Sequence, residues 1–97
     1  MIVQRIEFRV KIGCWEKILE LVKRAKIIVG NPATIRIYTS NIGRFGILAE
    51  ELEFRDLADM DRFWQEWFAK PEVPELMKEW HEVVDAGSVS EVWNLVE

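Results

Sequence analysis

Apolar and charged positions alternate along the first dozen residues: Ile6, Phe8, Val10 and Ile12 take the even places, and Arg5, Glu7, Arg9 and Lys11 the odd ones. Successive side chains of a strand point to opposite faces, so Ile2 to Ile12 reads as a strand with one dry and one charged face. Such a strand belongs near the middle of a sheet covered by helices on one side only. Gly13 breaks the alternation, and the period then lengthens. Trp15, Ile18, Leu19, Val22 and Ala25 form one helical stripe beginning near Cys14, with Lys23, Arg24 and Lys26 at the end where cations complement the helix dipole.

Gly30-Asn31-Pro32 is a stop. A second strand is expected from Ala33 to Thr39, then turn chemistry over Ser40 to Arg44, then a third strand from Phe45 to Phe54. On that third strand Leu48, Leu52 and Phe54 suggest the dry face, and Glu50 breaks the pattern. Asp56 reads as an N-cap with Asp59 three residues on. Leu57, Met60, Phe63, Trp64, Trp67 and Phe68 follow as an unusually wide apolar band. Pro71 should end or kink this helix at Lys70. A further segment starts near Pro74, carries Leu76, Met77, Trp80, Val83 and Val84, and is closed by Gly87. The last strand is expected from about Ser88 to Val96.

The order βαββαβ, with a broken second helix and right-handed crossovers, closes most simply as an α+β, ferredoxin-like sandwich. Its antiparallel sheet has the order 4-1-3-2, with helices on one face. Charge supports this order. Strands one and three become antiparallel neighbours, setting Arg5, Arg9 and Lys11 against Glu51 and Glu53, and opposite charges across strands stabilise by about 0.2–1 kcal/mol a pair.

Ninety-seven residues make one domain, 1–97, small enough to benefit from burial against a partner subunit. Thirteen basic against seventeen acidic residues give a net charge of −4, poorly suited to a polyanion. Arg44-Phe45-Gly46 faintly echoes an RNA-recognition strand, but the open face carries charges where stacking aromatics would be needed, so no nucleic-acid partner is expected. One cysteine and one histidine argue against a disulfide and a thiolate zinc site. Apolar runs such as Ile27-Ile28-Val29 are far short of a membrane span, and the N-terminus enters a charged strand without a leader. The expected setting is cytoplasmic.

Several pieces together carry a resemblance: Val10-Lys11-Ile12-Gly13 with Trp15-Glu16, the hairpin exit Gly43-Arg44-Phe45-Gly46, and Glu53-Phe54-Arg55-Asp56-Leu57-Ala58-Asp59 with Trp64 and Trp67. The chain resembles, over nearly its whole length, the small dimeric α/β-barrel superfamily that holds the NIPSNAP-like and antibiotic-biosynthesis-monooxygenase-like domains. The resemblance implies a homodimer whose two sheets face each other as a barrel, with pockets between sheet and helices or in the lumen. Haem-degrading members use an Asn on the first strand, a Trp on the second helix and a His on the next helical segment. Trp64 or Trp67 could match the Trp. The first strand, however, offers only Gln4 or Glu7, and Lys78 or Met77 stands at the His position. No cofactor is expected.

Candidate chemistry is sparse. His81 lies off the Leu76–Trp80–Val84 stripe, so its default is an exposed histidine; its functional reading is a proton carrier at a pocket mouth. Cys14 is by default a small packed residue. Phe63, Trp64, Trp67 and Phe68 exceed what one stripe needs, which points to a dimer partner first and an apolar ligand pocket second. Arg5, Glu7, Arg9, Arg36, Tyr38, Glu51 and Glu53 would line a barrel lumen. They would form a salt-bridge lattice there, or a polar cavity in which an arginine such as Arg9 or Arg36 holds a carboxylate and Tyr38 or a glutamate handles protons. The expectation is a homodimeric module with an apolar small-molecule pocket. The alternative is a cofactor-independent monooxygenase or isomerase acting on an aromatic or polyketide-like substrate, with His81 or Tyr38 as the proton carrier.

Overall fold

The structure is a computed structural model and describes residues 1–30 and 34–97. The expected stop at Asn31-Pro32 and the start of strand two at Ala33 lie outside the described residues. The elements are β1 (Ile2–Arg9), α1 (Trp15–Val29), β2 (Ile35–Thr39), β3 (Ile47–Phe54), α2 (Leu57–Ala69), α3 (Val73–Val83) and β4 (Val89–Asn94). They form one four-stranded antiparallel sheet in the order β2-β3-β1-β4, the ferredoxin-like arrangement read from the pattern.

The register explains why the alternation was so clear. Arg5 stands opposite Glu51, and Arg5 Nη1 donates to Glu51 Oε2 at 2.7 Å. Arg36 does the same for Glu53, also at 2.7 Å, while Glu7 accepts from Arg5 and Arg44. A slip of one residue would turn these charges into the helices and the apolar set into water. On the dry face, Ile6 and Val10 join Leu48, Leu52 and Phe54 beneath the helices. Gln4 shares that buried face and is satisfied at both ends. Its Oε1 accepts from Trp64 Nε1 at 2.7 Å, and its Nε2 donates to Ser90 Oγ at 3.1 Å, which joins α2 to β4 through β1.

Helix α1 buries Ile18, Leu21 and Val22. Leu19, expected on the stripe, is exposed, and Leu21 replaces it, so the buried stripe is rotated by part of a turn. The helix ends at Gly30, whose left-handed φ of 87° lets its N–H return to Ile27 O. Asp56 caps α2 by accepting from Asp59 N at 2.8 Å, and Asp59 returns a bond to Arg55 N. Pro71 breaks this helix rather than kinking it: α2 stops at Ala69, Lys70 is extended, and α3 restarts at Val73 with Pro74 in its first turn. Glu79 on α3 draws Arg24 (2.8 Å) and Lys17 (3.0 Å) from α1, locking the two helices side by side.

Several expected boundaries shorten. β1 ends at Arg9 because Val10 pairs singly with Val84, and Lys11 N and Asp85 N bond across that junction. Ile12 then projects into solvent from the turn instead of joining the core. β3 begins at Ile47, with Gly46 at a φ of 72° bonding Val10 N; Phe45 is left in the turn, 83% exposed. Val84 is extended, so α3 closes there and not at Gly87. β4 is limited to Val89–Asn94.

Two tests follow. Trp64→Phe keeps an aromatic side chain, though a smaller one, but leaves Gln4 Oε1 without its donor, and should cost at least about 1–2 kcal/mol in urea denaturation; an unchanged midpoint would remove this bond from the account of the core. The guanidinium of Arg24, with Lys17, holds the Glu79 carboxyl down to about 2 from an ordinary 4.5. Its contribution is present above pH 4.5 and is lost as pH falls through about 2. Glu79→Gln should therefore be less stable than wild type at neutral pH, by a margin that shrinks on acidification below 4.5. A margin independent of pH would contradict the ion pair.

Candidate functional site

The dry face of the sheet and the three helices do not close completely. Between them lies an apolar cavity of about 110 Å³, floored by Phe8 of β1, Ile35 and Ile37 of β2, and Glu50 and Leu52 of β3. Trp64, Trp67 and Phe68 of α2 and Trp80 of α3 form aromatic walls, and Val22, Ala25 and Lys26 of α1 the opposite side. The 3.6-residue period that brings Met60, Phe63, Trp64 and Trp67 to the sheet also carries Phe68 to the rim, where it stays 60% exposed. Ring contacts fix these walls: Trp80 meets Phe8 edge-on at 5.0 Å between centroids, and Trp64 meets Phe63 in the same way at 5.0 Å.

Glu50 is the chemical anomaly of this cavity. It stands on an inner strand, opposite Ile6 on one side and Ile37 on the other, where the alternation calls for an apolar residue. The residue is half-buried, but its carboxyl sits among apolar side chains and makes no hydrogen bond or ion pair to any described residue. Desolvation pushes its pKa from an ordinary 4.5 up to about 7. Lys26 is the only other charged side chain lining the cavity among the described residues. Sequence reasoning registered Glu50 only as an unplaced exception on β3. The signal that could have found it was that break: an acid between Ala49 and Glu51 falls on the helix side of a strand whose neighbours there are Leu48 and Leu52.

The residues singled out from sequence divide between three places. Trp64, Trp67 and Phe68 come together in the cavity wall. His81 follows Trp80 on α3 but faces outward, exposed, and does not line the cavity. One step along a helix turns a side chain by about 100°, so the buried ring of Trp80 sends His81 to the wet side. Tyr38, Arg9 and Arg36 lie on the opposite, charged face of the sheet. There Tyr38 borders a shallow polar groove of about 390 Å³ with Arg5, Arg44 and Glu51. Arg36 is held by Glu53, and Arg9 is exposed at the end of β1 opposite Ile47. The sheet itself separates Tyr38 from the tryptophans, so they do not share one site within a single chain. Cys14 is a free thiol packed against the main core. Among the described residues, no group of three or more His, Cys, Asp or Glu side chains could hold a metal ion, and no helix is long and apolar enough to cross a membrane.

Comparison with known proteins places this architecture. No protein-family model matches the chain, and no curated protein matches it in sequence. Solved structures do. A NIPSNAP family protein from Agrobacterium tumefaciens superposes with a TM-score of 0.86 over 99% of this chain and 93% of its own, at 14% identity. A second NIPSNAP family protein of unknown function from the same organism gives a TM-score of 0.82 over 95% and 85%, at 16% identity. A candidate antibiotic biosynthesis monooxygenase from Nitrosomonas europaea matches along the whole of both chains with a TM-score of 0.77, at 9% identity. At such identities the likeness is one of fold. This chain has the ferredoxin-like fold shared by NIPSNAP and antibiotic-biosynthesis-monooxygenase structures.

Proposed function

We propose that this chain binds a small apolar or aromatic molecule in the cavity between sheet and helices, and works as a homodimer. The cavity carries the first part: an aromatic-walled space of about 110 Å³ remains in an interior that otherwise packs well. Its size sets the class of ligand. An apolar cavity of roughly 150 Å³ binds benzene; this one, at about 110 Å³, sets a single small ring or a short branched chain as the upper limit, and a fused polyketide does not fit. Walls of this kind supply apolar burial and ring contacts, and leave the polar groups at the edge to orient the guest.

The dimer rests on uncovered surface. β4 presents Val89 and Trp93 on the open face of the sheet, Trp93 being 58% exposed, and Ile42 of the hairpin is 97% exposed. A second copy laid across that face would cover these side chains and enclose the Arg5–Glu51 and Arg36–Glu53 pairs as a polar lumen, in the manner of a dimeric α/β barrel. Tyr38, Arg9 and Arg36 would then act, if anywhere, in that lumen. His81, exposed on the far side of the helices, is left as a surface residue. A cytoplasmic setting belongs to this reading, as the surroundings in which a lone free thiol at Cys14 is unremarkable.

Three measurements test this. Intrinsic tryptophan emission should be quenched or shifted by benzene, toluene or a comparable single-ring compound, and the response should vanish in Ala25→Leu, which fills the cavity without removing a wall. A response that survives Ala25→Leu would place the ligand elsewhere. Light scattering during size exclusion should give a dimer that Trp93→Glu converts to monomer, and a wild-type monomer would end the barrel reading. The third concerns Glu50. The folded state keeps a proton that the unfolded chain releases above pH 4.5, so this carboxyl costs stability as pH rises from 4.5 through about 7. Glu50→Gln does not titrate. It should match wild type near pH 4 and exceed it above pH 7 by on the order of 2–3 kcal/mol. An advantage that does not grow with pH would contradict a desolvated, unpaired carboxyl.

A further inference from the structure

We propose that Glu50 is a catalytic general base that moves a proton between carbon atoms of a small carbonyl compound held in the sheet–helix cavity; this rests on the small-molecule reading of that cavity. The first support is the contrast between two polar side chains on the same dry face. Gln4 has both ends of its amide bonded, to Trp64 and Ser90, and so has a structural duty that accounts for it. Glu50 has no such partner among the described residues, occupies the middle of an inner strand, and opens onto the space a guest would fill. A carboxyl that weakens the fold and bonds nothing within it is explained by what it does to an occupant.

The second support is the composition of the walls. Among the described residues, Lys26 of α1 is the one charged side chain that shares the cavity with Glu50, while β1, β2, α2 and α3 present only uncharged side chains there. A base and a cation in an otherwise apolar enclosure suit a reaction in which negative charge passes from a carboxylate to an enolate oxygen. The carboxylate takes a proton from the carbon next to the carbonyl. The C–H electron pair becomes the C=C bond of the enolate, and the charge moves to oxygen, where the Lys26 ammonium offsets it. The carboxylic acid then returns the proton, either to the same carbon, which is exchange, or to the γ carbon of a β,γ-unsaturated ketone, which is isomerisation to the conjugated form. No electron is gained or lost overall, and no co-reactant is consumed. Burial tunes the carboxyl close to neutral pH, where it serves as base in one half of the cycle and acid in the other.

The probe is 3-cyclohexen-1-one, a single ring of the right bulk, followed by proton NMR in D₂O with the full chain, with tryptophan emission recording binding in parallel. The expected result is conversion to 2-cyclohexen-1-one with deuterium incorporation, at a rate that rises with pH through about 7. Glu50→Gln should lower that rate by about 100-fold or more while its tryptophan emission shows an intact fold. Glu50→Asp, with its carboxylate drawn back by one methylene, should keep a reduced, still pH-dependent rate. Conversion by Glu50→Gln at the wild-type rate overturns the proposal. So does a ketone that binds, by its effect on emission, yet neither isomerises nor exchanges; the ligand cavity then stands without the chemistry. If neither the ketone nor a single-ring hydrocarbon perturbs emission, the cavity reading fails and this proposal falls with it.

Discussion

A four-stranded sheet has two faces, and this chain supplies helices for only one of them. That asymmetry governs the rest. Hydrophobic burial under α1, α2 and α3 fixes the even positions of β1 and the matching positions of β3 inward. The odd positions are left to charged pairs that tolerate water and resist register slips. The same asymmetry creates two unlike spaces, an apolar one inside the sandwich and a polar groove on the open face, divided by one thickness of sheet. No chemistry can bridge them within one chain, because each strand residue must choose a side.

This is why the fold was legible and the site only in part. Arg5, Glu7 and Arg9 announced the open face, and Trp64, Trp67 and Phe68 announced more apolar surface than one helix stripe needs. Both signals are periodic, and periodicity is what a sequence displays. Boundaries were less legible where tertiary bonds override local pattern. Ile12 continues the alternation in sequence, but the chain has already turned away, because Lys11 and Asp85 bond across the junction with α3. His81 drew attention as the only histidine, a reason of composition rather than of place. Glu50 ran the other way: its chemistry depends on having no partner, and nothing in a linear sequence records the absence of one.

Gln4 and Glu50 show how differently a dry face can accommodate polarity. The amide of Gln4 is neutral and satisfied by one donor and one acceptor, and it ties α2, β1 and β4 together. The carboxyl of Glu50 has its ionised form destabilised by the same surroundings, with no hydrogen bond or ion pair among the described residues to offset the loss. One is cement and the other is a stored cost. Aromatic packing around them, Phe8 on Trp80 and Phe63 on Trp64, makes those surroundings apolar.

The junction between β1 and α3 also has a mechanical side. Val10 pairs with Val84, and Lys11 and Asp85 donate across it to Val83 and Arg9, so the end of α3 is welded to the strand at the centre of the fold. Glu79 in turn clamps α1 to α3 through Lys17 in its first turn and Arg24 beyond its midpoint. The last turn of α1, which brings Lys26 and Val29 to the cavity, lies beyond that clamp; the Gly30 N–H there returns to the carbonyls of Lys26 and Ile27, and Ala25, Ile28 and Val29 pack against the core. Among the described residues, the cavity thus has one wall tied by ion pairs and backbone bonds and another held by apolar packing. Non-directional packing yields to a change of side-chain volume more readily than a bonded seam does, which makes the α3 side the frame of the cavity and the α1 end its adjustable side.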